Sequence, residues 1–196
     1  MLASITPLGE RGRRSRWGIT VSAFALGATV AGMVAGAALG GLGSLTVPAG
    51  VPSDSRVAVL ALALAAAIGL DAIPRAVPGP RRQVDERWLD EYRGWVYGLG
   101  YGSQLGLAVT TVVASAATYV ALLAALLSGS ARTGALILGC GGAIRGLTPL
   151  AAAGVRSQGQ LLELHRAVAR WRGRVRWGAV AFELAALIAA VAAAAS

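Results

Sequence analysis

The 196-residue sequence contains no lysine; all 18 of its basic residues are arginine. It has one cysteine, Cys140, and one histidine, His165. A lone thiol excludes an intramolecular disulfide and a dithiol centre. Within an apolar run, Cys140 reads as a small packing residue rather than a nucleophile. His165 stands in a basic stretch with no second His or Cys beside it, which gives neither a metal site nor a Ser/His/Asp set. The glycine strings lack the Lys-Ser/Thr of a phosphate-binding loop. Asp85, Glu86, Asp90 and Glu91 lie among Arg82, Arg87 and Arg93, a mixture that reads as a charge-paired solvated face. No enzymatic activity, cofactor or metal is therefore expected. Charge is scarce overall, at 14% of the chain against about 25% in soluble domains.

Apolar side chains fill the space that charge vacates. They make up 56% of the residues, and the mean hydropathy is +0.63. The net charge of +9 would elsewhere raise the idea of nucleic acid, but no folded basic module accompanies it. Fifteen arginines fall in residues 11–17, 75–93 and 156–176, each flanking a hydrophobic run. The sequence predicts an all-α polytopic membrane bundle of five spans, 18–47, 57–73, 97–127, 133–153 and 177–195, as a single transmembrane domain after a basic N-terminus at 1–17. The first run is too long for a signal-peptide core, so a retained helix is expected, with cleavage near Ala49 as the alternative. The loops 74–96 and 154–176 share the arginine-rich side, which the positive-inside bias makes cytoplasmic. All five tryptophans (17, 88, 95, 171 and 177) fall on that side, as an interfacial aromatic belt requires. Within the two basic loops, Val84/Trp88/Leu89/Tyr92/Trp95 and Leu161/His165/Val168/Trp171/Val175 each share a helical face, as in helices lying among headgroups. A multi-pass protein of a bacterial inner (plasma) membrane follows.

Residues 93–127 carry the one polar seam. At about 100° per residue, Tyr97, Gly100, Gln104, Ala108, Thr111, Ser115 and Thr118 gather near one line of a helix whose other faces are apolar. Lipid-exposed helices turn such seams toward other helices or a water-filled path. In the first span Ala28, Gly32, Gly36 and Gly40 recur every four residues, a small-residue ridge that lets a second backbone approach closely. Three spans open alike, at Arg16-Trp17-Gly18, Arg93-Gly94-Trp95 and Arg176-Trp177-Gly178. A shift of 75 residues lays Gly27 on Gly102 and Pro74 on Pro149, as an internal duplication with a site between repeats would.

Three ionisable residues lie within spans: Asp71, Arg145 and Glu183. Each charge costs at least ~2.5–3.5 kcal/mol to insert, so partners are expected. Arg145 and Glu183 are at similar depth from the arginine-rich side, roughly 9–12 Å, and are expected to form an ion pair. Asp71 is shallower and within reach of water or Arg75.

The string Tyr97-Gly98-Leu99-Gly100-Tyr101-Gly102, a small-residue helix, then LILGCGGAIRGLTPLAAAG, a basic loop and a last apolar span resemble the second half of the DsbD/cytochrome c biogenesis transmembrane thiol–disulfide carriers. That family carries two membrane-embedded Pro-Cys elements and six spans, whereas this chain has neither element and five expected spans. The resemblance implies a transporter-like scaffold without redox chemistry. Two functions are expected from the sequence. One is a small-solute permease or exporter, its path along Gln104, Thr111, Ser115 and Thr118 and gated near Arg145 and Glu183. The other is a non-catalytic structural or assembly subunit of a membrane complex, docked through Gly32, Gly36 and Gly40. Besides the lipid bilayer, the expected partners are further copies of the chain or other membrane subunits.

Overall fold

The computed structural model describes residues 5–48, 50–73, 77–79, 87–108 and 113–194. All regular structure among them is helical: α1 (Pro7–Gly12), α2 (Trp17–Thr46), α3 (Ser53–Ala72), α4 (Trp88–Glu91), α5 (Gly94–Gly106), α6 (Ala117–Leu127), α7 (Ala131–Gly146), a 3₁₀ turn at Thr148–Ala152 and α8 (Gln158–Ala194). Among the described residues four segments are long and apolar enough to cross a bilayer: Trp17–Thr46, Ser53–Ala72, Ala131–Ala152 and Gln158–Ala192. Their outward apolar side chains, such as Leu62, Ile144 and Phe182, are exposed on the chain itself, which suits a protein whose solvent is lipid. The chain is an all-helical membrane protein. It divides into two units: Met1–Ala35 with Pro80–Val112 and Leu138–Arg170, and Gly36–Gly79 with Val113–Ile137 and Trp171–Ser196.

In the first unit the N-terminus is folded. Thr6 caps α1 by accepting the Gly9 N–H at 3.0 Å, and Pro7 occupies the first turn, where its missing donor and fixed φ are harmless. Ile5, Val21, Phe24, Tyr97 and Tyr101 form a buried cluster, flanked by Trp17, Trp88, Leu89 and Leu105. Trp88 stacks on Tyr101 with centroids 6.0 Å apart. Helix α5 lies along the start of α2 through Gly98, Gly102 and Gly106, which face Thr20, Phe24 and Ala28 in step. A Cβ on Gly102 would sit 2.0 Å from the Phe24 carbonyl oxygen, so only glycine allows this approach. Gly32 of the predicted ridge lies in this unit, against the Leu138 backbone.

In the second unit Gly36 and Gly40 lie against the backbones of Gly134 and Ser130. The Gly36–Gly134 contact is reciprocal, since a Cβ on either would approach the other's carbonyl oxygen within 2.0–2.1 Å. Helix α3 turns Leu64, Ala67 and Asp71 inward, a spacing of three and four residues that keeps them on one face. That face packs on α6. The two helices run in opposite directions, because the start of α3 reaches the end of α6. There Arg56 donates to the Leu127 carbonyl at 3.2 Å, while Asp71 sits at the α6 N-terminus.

Three predicted features come out differently. The stretch 97–127 is two helices rather than one: α5 ends at Gly106, Ala108 has φ +65°, and α6 begins at Ala117. The basic segment 154–176 is no separate loop, since α8 is continuous from Gln158. Between Gln158 and the last span it contains no proline; Gly159 lies in the first turn, and Gly173 in the interior costs only about 1 kcal/mol. In the other basic loop the helix reaches only from Trp88 to Glu91; Val84 lies outside the described residues.

Candidate functional site

The site is built where the third apolar stretch breaks. A helix that starts among apolar side chains exposes backbone N–H groups that such surroundings cannot satisfy. At the start of α6 the Asp71 carboxylate meets them. The Ala116 N–H donates to Asp71 Oδ1 at 2.9 Å and to Oδ2 at 3.1 Å, and the Ser115 hydroxyl donates to Oδ2 at 2.6 Å. Ser115 Oγ in turn accepts the Ala117 N–H at 3.1 Å. The negative group at the α6 N-terminus and the cationic Arg56 at its C-terminus both complement its dipole. Both come from α3, 15 residues apart, about 22 Å along the helix axis. Helix α6 has 11 residues, about 16 Å, so α3 clamps it at both ends.

A second carboxyl group joins the first. Glu183 of α8 lies beside Asp71, Ser115 and the Ala117 backbone. It is 1% exposed, and neither carboxyl oxygen has a hydrogen-bond partner of full geometry among the described residues. Along α8, from Gln158 to Ala192, Glu183 is the only buried residue. This inverts the usual order: the apolar residues of the helix are outside and its one membrane-embedded acid is inside. Two carboxylates side by side in a low-dielectric site repel strongly unless a proton or a cation stands between them. A proton or a small cation is the kind of group that would relieve that repulsion.

The predicted site residues are distributed as follows. Ser115 is in the site, and Thr118 is buried one turn further along α6. Gln104 is half-buried on α5 in the first unit, and Thr111 lies outside the described residues. Arg145 belongs to the first unit and Glu183 to the second; the group found beside Glu183 within its own unit is Asp71. Cys140 is exposed, and no described cluster of three His, Cys, Asp or Glu residues could hold a metal.

One buried acid escaped the sequence reading. Glu10 is 0% exposed. It accepts hydrogen bonds from Thr20 Oγ1 at 2.7 Å, from Arg13 at 3.0 Å and from the Tyr97 hydroxyl, tying α1 to α2 and α5. Burial works against the Arg13 charge, but the hydrogen bonds to Glu10 and Tyr97 outweigh it and hold the guanidinium above its ordinary pKa. The sequence signal was Thr6-Pro7-Leu8-Gly9-Glu10, a cap, a first-turn proline and an acid in the first turn.

Comparison with known proteins adds one relative. The chain is similar to the methylamine utilization protein MauF of Methylophilus methylotrophus, 33% identical over 142 residues. The match covers 70% of this chain and 49% of that protein, so the chain spans about half the length of the curated relative it matches. No family model and no solved structure matches it.

Proposed function

We propose that this protein is a small-solute permease or exporter of a bacterial plasma membrane, working around the carboxyl pair Asp71–Glu183. The observation that carries this reading is the burial of Glu183 against Asp71 on a helix otherwise turned outward. Intramembrane acids mark ion or substrate pathways, and discontinuous helices commonly build the binding sites of secondary transporters. The start of α6 at the Asp71 carboxylate is of that kind. Of the predicted seam, Ser115 hydrogen-bonds Asp71 and Thr118 is buried one turn further along α6. The occupant of the pair is a proton or a small cation, and the relative's role in methylamine utilization makes methylammonium the first solute to try. A carrier without redox chemistry is also what the likeness to the DsbD-type scaffold implies. Five crossings are few for a carrier, and further copies of the chain complete it.

A second reading is favoured by the relative's name, which denotes a utilization protein: a non-catalytic accessory or assembly subunit, docked through a face other than the Gly32/Gly36/Gly40 ridge, which is filled by backbone of its own chain. Proteoliposomes on a solid-supported membrane separate the two. A carrier gives a transient current on a step from choline to methylammonium or another small amine, and Glu183→Gln abolishes it. Absence of any current, with stable co-purification of other methylamine-utilization proteins in mild detergent, establishes the accessory role instead.

A further inference from the structure

We propose that a basin in the first unit binds a phosphate-bearing anion, either a lipid headgroup or a free phosphate, independently of the carboxyl pair. The basin is an open depression of about 610 Å³ between the α1–α2 turn on one side and the segment leading into α5 on the other. Arg14, Arg16 and Arg93 line it, together with Arg13, whose guanidinium is already held by Glu10. Glu91 is the one carboxylate on its wall among the described residues, so three arginines with no ion pair among those residues stand against a single acid. Tyr92 and Trp95 form part of the same wall and are each about half exposed, the aromatic character of a headgroup-level site. Arg93 is also the N-cap of α5, and no side chain caps that helix. The first-turn N–H groups at Gly94 and Trp95 therefore add the positive end of a helix to the arginines.

The backbone of Arg14 gives the independent argument. After α1 the Ser15 N–H donates to the Glu10 carbonyl at 2.8 Å and the Arg14 N–H to that of Arg11 at 3.1 Å. Arg14 itself has φ +55°. Glycine is the residue that closes helices in this way at no steric cost, and Gly12 stands two residues before the position where it is needed. An arginine kept in the left-handed region, with its side chain on the wall of a basic depression, is strain retained at a binding site. Arg14 is thus a position where fold and ligand make opposite demands.

That opposition supplies the test. The full-length chain in a neutral detergent is unfolded thermally with added phosphatidylglycerol, phosphatidylcholine or inorganic phosphate, for wild type, Arg14→Gly, Arg14→Gly/Arg16→Gln and Arg172→Gln. Phosphatidylglycerol is expected to raise the melting temperature and phosphatidylcholine to leave it unchanged. Arg14→Gly, which relieves the backbone, should melt at or above the wild type without lipid. It should nevertheless need roughly fivefold more phosphatidylglycerol for half the effect, and the double variant about twenty-five-fold more, as each arginine near a charged membrane surface contributes. Arg172→Gln, outside the basin, should respond as the wild type does. A matching shift with inorganic phosphate identifies a soluble anion as the occupant; a shift with the lipid alone identifies the headgroup. An undiminished response to phosphatidylglycerol in Arg14→Gly, or equal shifts with both lipids, overturns the proposal.

Discussion

Removing Glu10 should release the N-terminal segment from the membrane helices. Its carboxylate is fully buried and accepts from three side chains on three elements: Arg13, Thr20 of α2 and Tyr97 of α5. Hydrogen bonds to a charged group contribute about 1.5–3 kcal/mol each, but they do not add, because Thr20 and Tyr97 are neutral and the Arg13 side chain is 24% exposed and regains water. Breaking one member of a buried network costs about 3–5 kcal/mol. For Glu10→Ala we expect the lower half of that range, a fall in melting temperature on the order of 10 °C. Glu10→Gln, which keeps the shape and one acceptor, should lose about half as much. Thermal unfolding in detergent, followed by tryptophan fluorescence, reads the loss, since Trp17 and Trp88 flank the cluster that Glu10 supports. Tyr97→Phe completes a double-mutant cycle with Glu10→Ala, in which the coupling should be about 0.5–3 kcal/mol. Limited trypsin should cleave after Arg14 faster in Glu10→Ala. Equal melting of wild type and Glu10→Ala, or strict additivity with Tyr97→Phe, would refute the network as the anchor of α1.

The other expectations concern packing and charge. Gly36→Leu drives a side chain into the Gly134 carbonyl and should destabilise by about 3 kcal/mol or more, whereas Gly41→Leu, with nothing within 4 Å, should express and melt normally; yield and melting temperature in detergent compare them. Arg56→Ala frees the Leu127 carbonyl at the end of α6 and should cost about 1–2 kcal/mol by thermal unfolding, with Arg56→Lys restoring part of it. Glu183→Leu replaces a buried carboxyl of unsatisfied geometry by an apolar side chain and should raise stability by about 1–4 kcal/mol while abolishing transport current. An Arg145–Glu183 ion pair predicts the reverse for stability, so one melting curve separates the two arrangements.

The long spans were legible because lipid imposes a simple rule: α2, α3 and α7 follow apolar runs, the first without a charge and the other two with one each, Asp71 and Arg145. Boundaries shifted where arginines misled. The stretch 154–176 looked like a loop through its charge, yet charge on a helix emerging from the membrane carries no penalty, and α8 simply continues. The break between α5 and α6 was illegible for a different reason. Ser115 and Thr118 continue the helical period of Tyr97 and Gln104, so the pattern reads straight through, and the partner that makes a second helix start possible, Asp71, is 45 residues from Ala116. Small residues also concealed their register. The ridge was read on α2, whereas Gly98, Gly102 and Gly106 of α5 are glycines for the same reason, facing the α2 carbonyls. Glu183 and Asp71 could each be singled out as charges within apolar runs, but their proximity could not, because sequence gives depth without azimuth.

The most direct measurement is a disulfide between α3 and α8. In a Cys140→Ala background, Asp71→Cys with Glu183→Cys should close rapidly on mild oxidation, leaving a single chain with an internal cross-link by mass. No closure, under conditions where Asp71→Cys with Ser115→Cys does close, would mean that the two acids do not face each other, and the cation site built on them would fall.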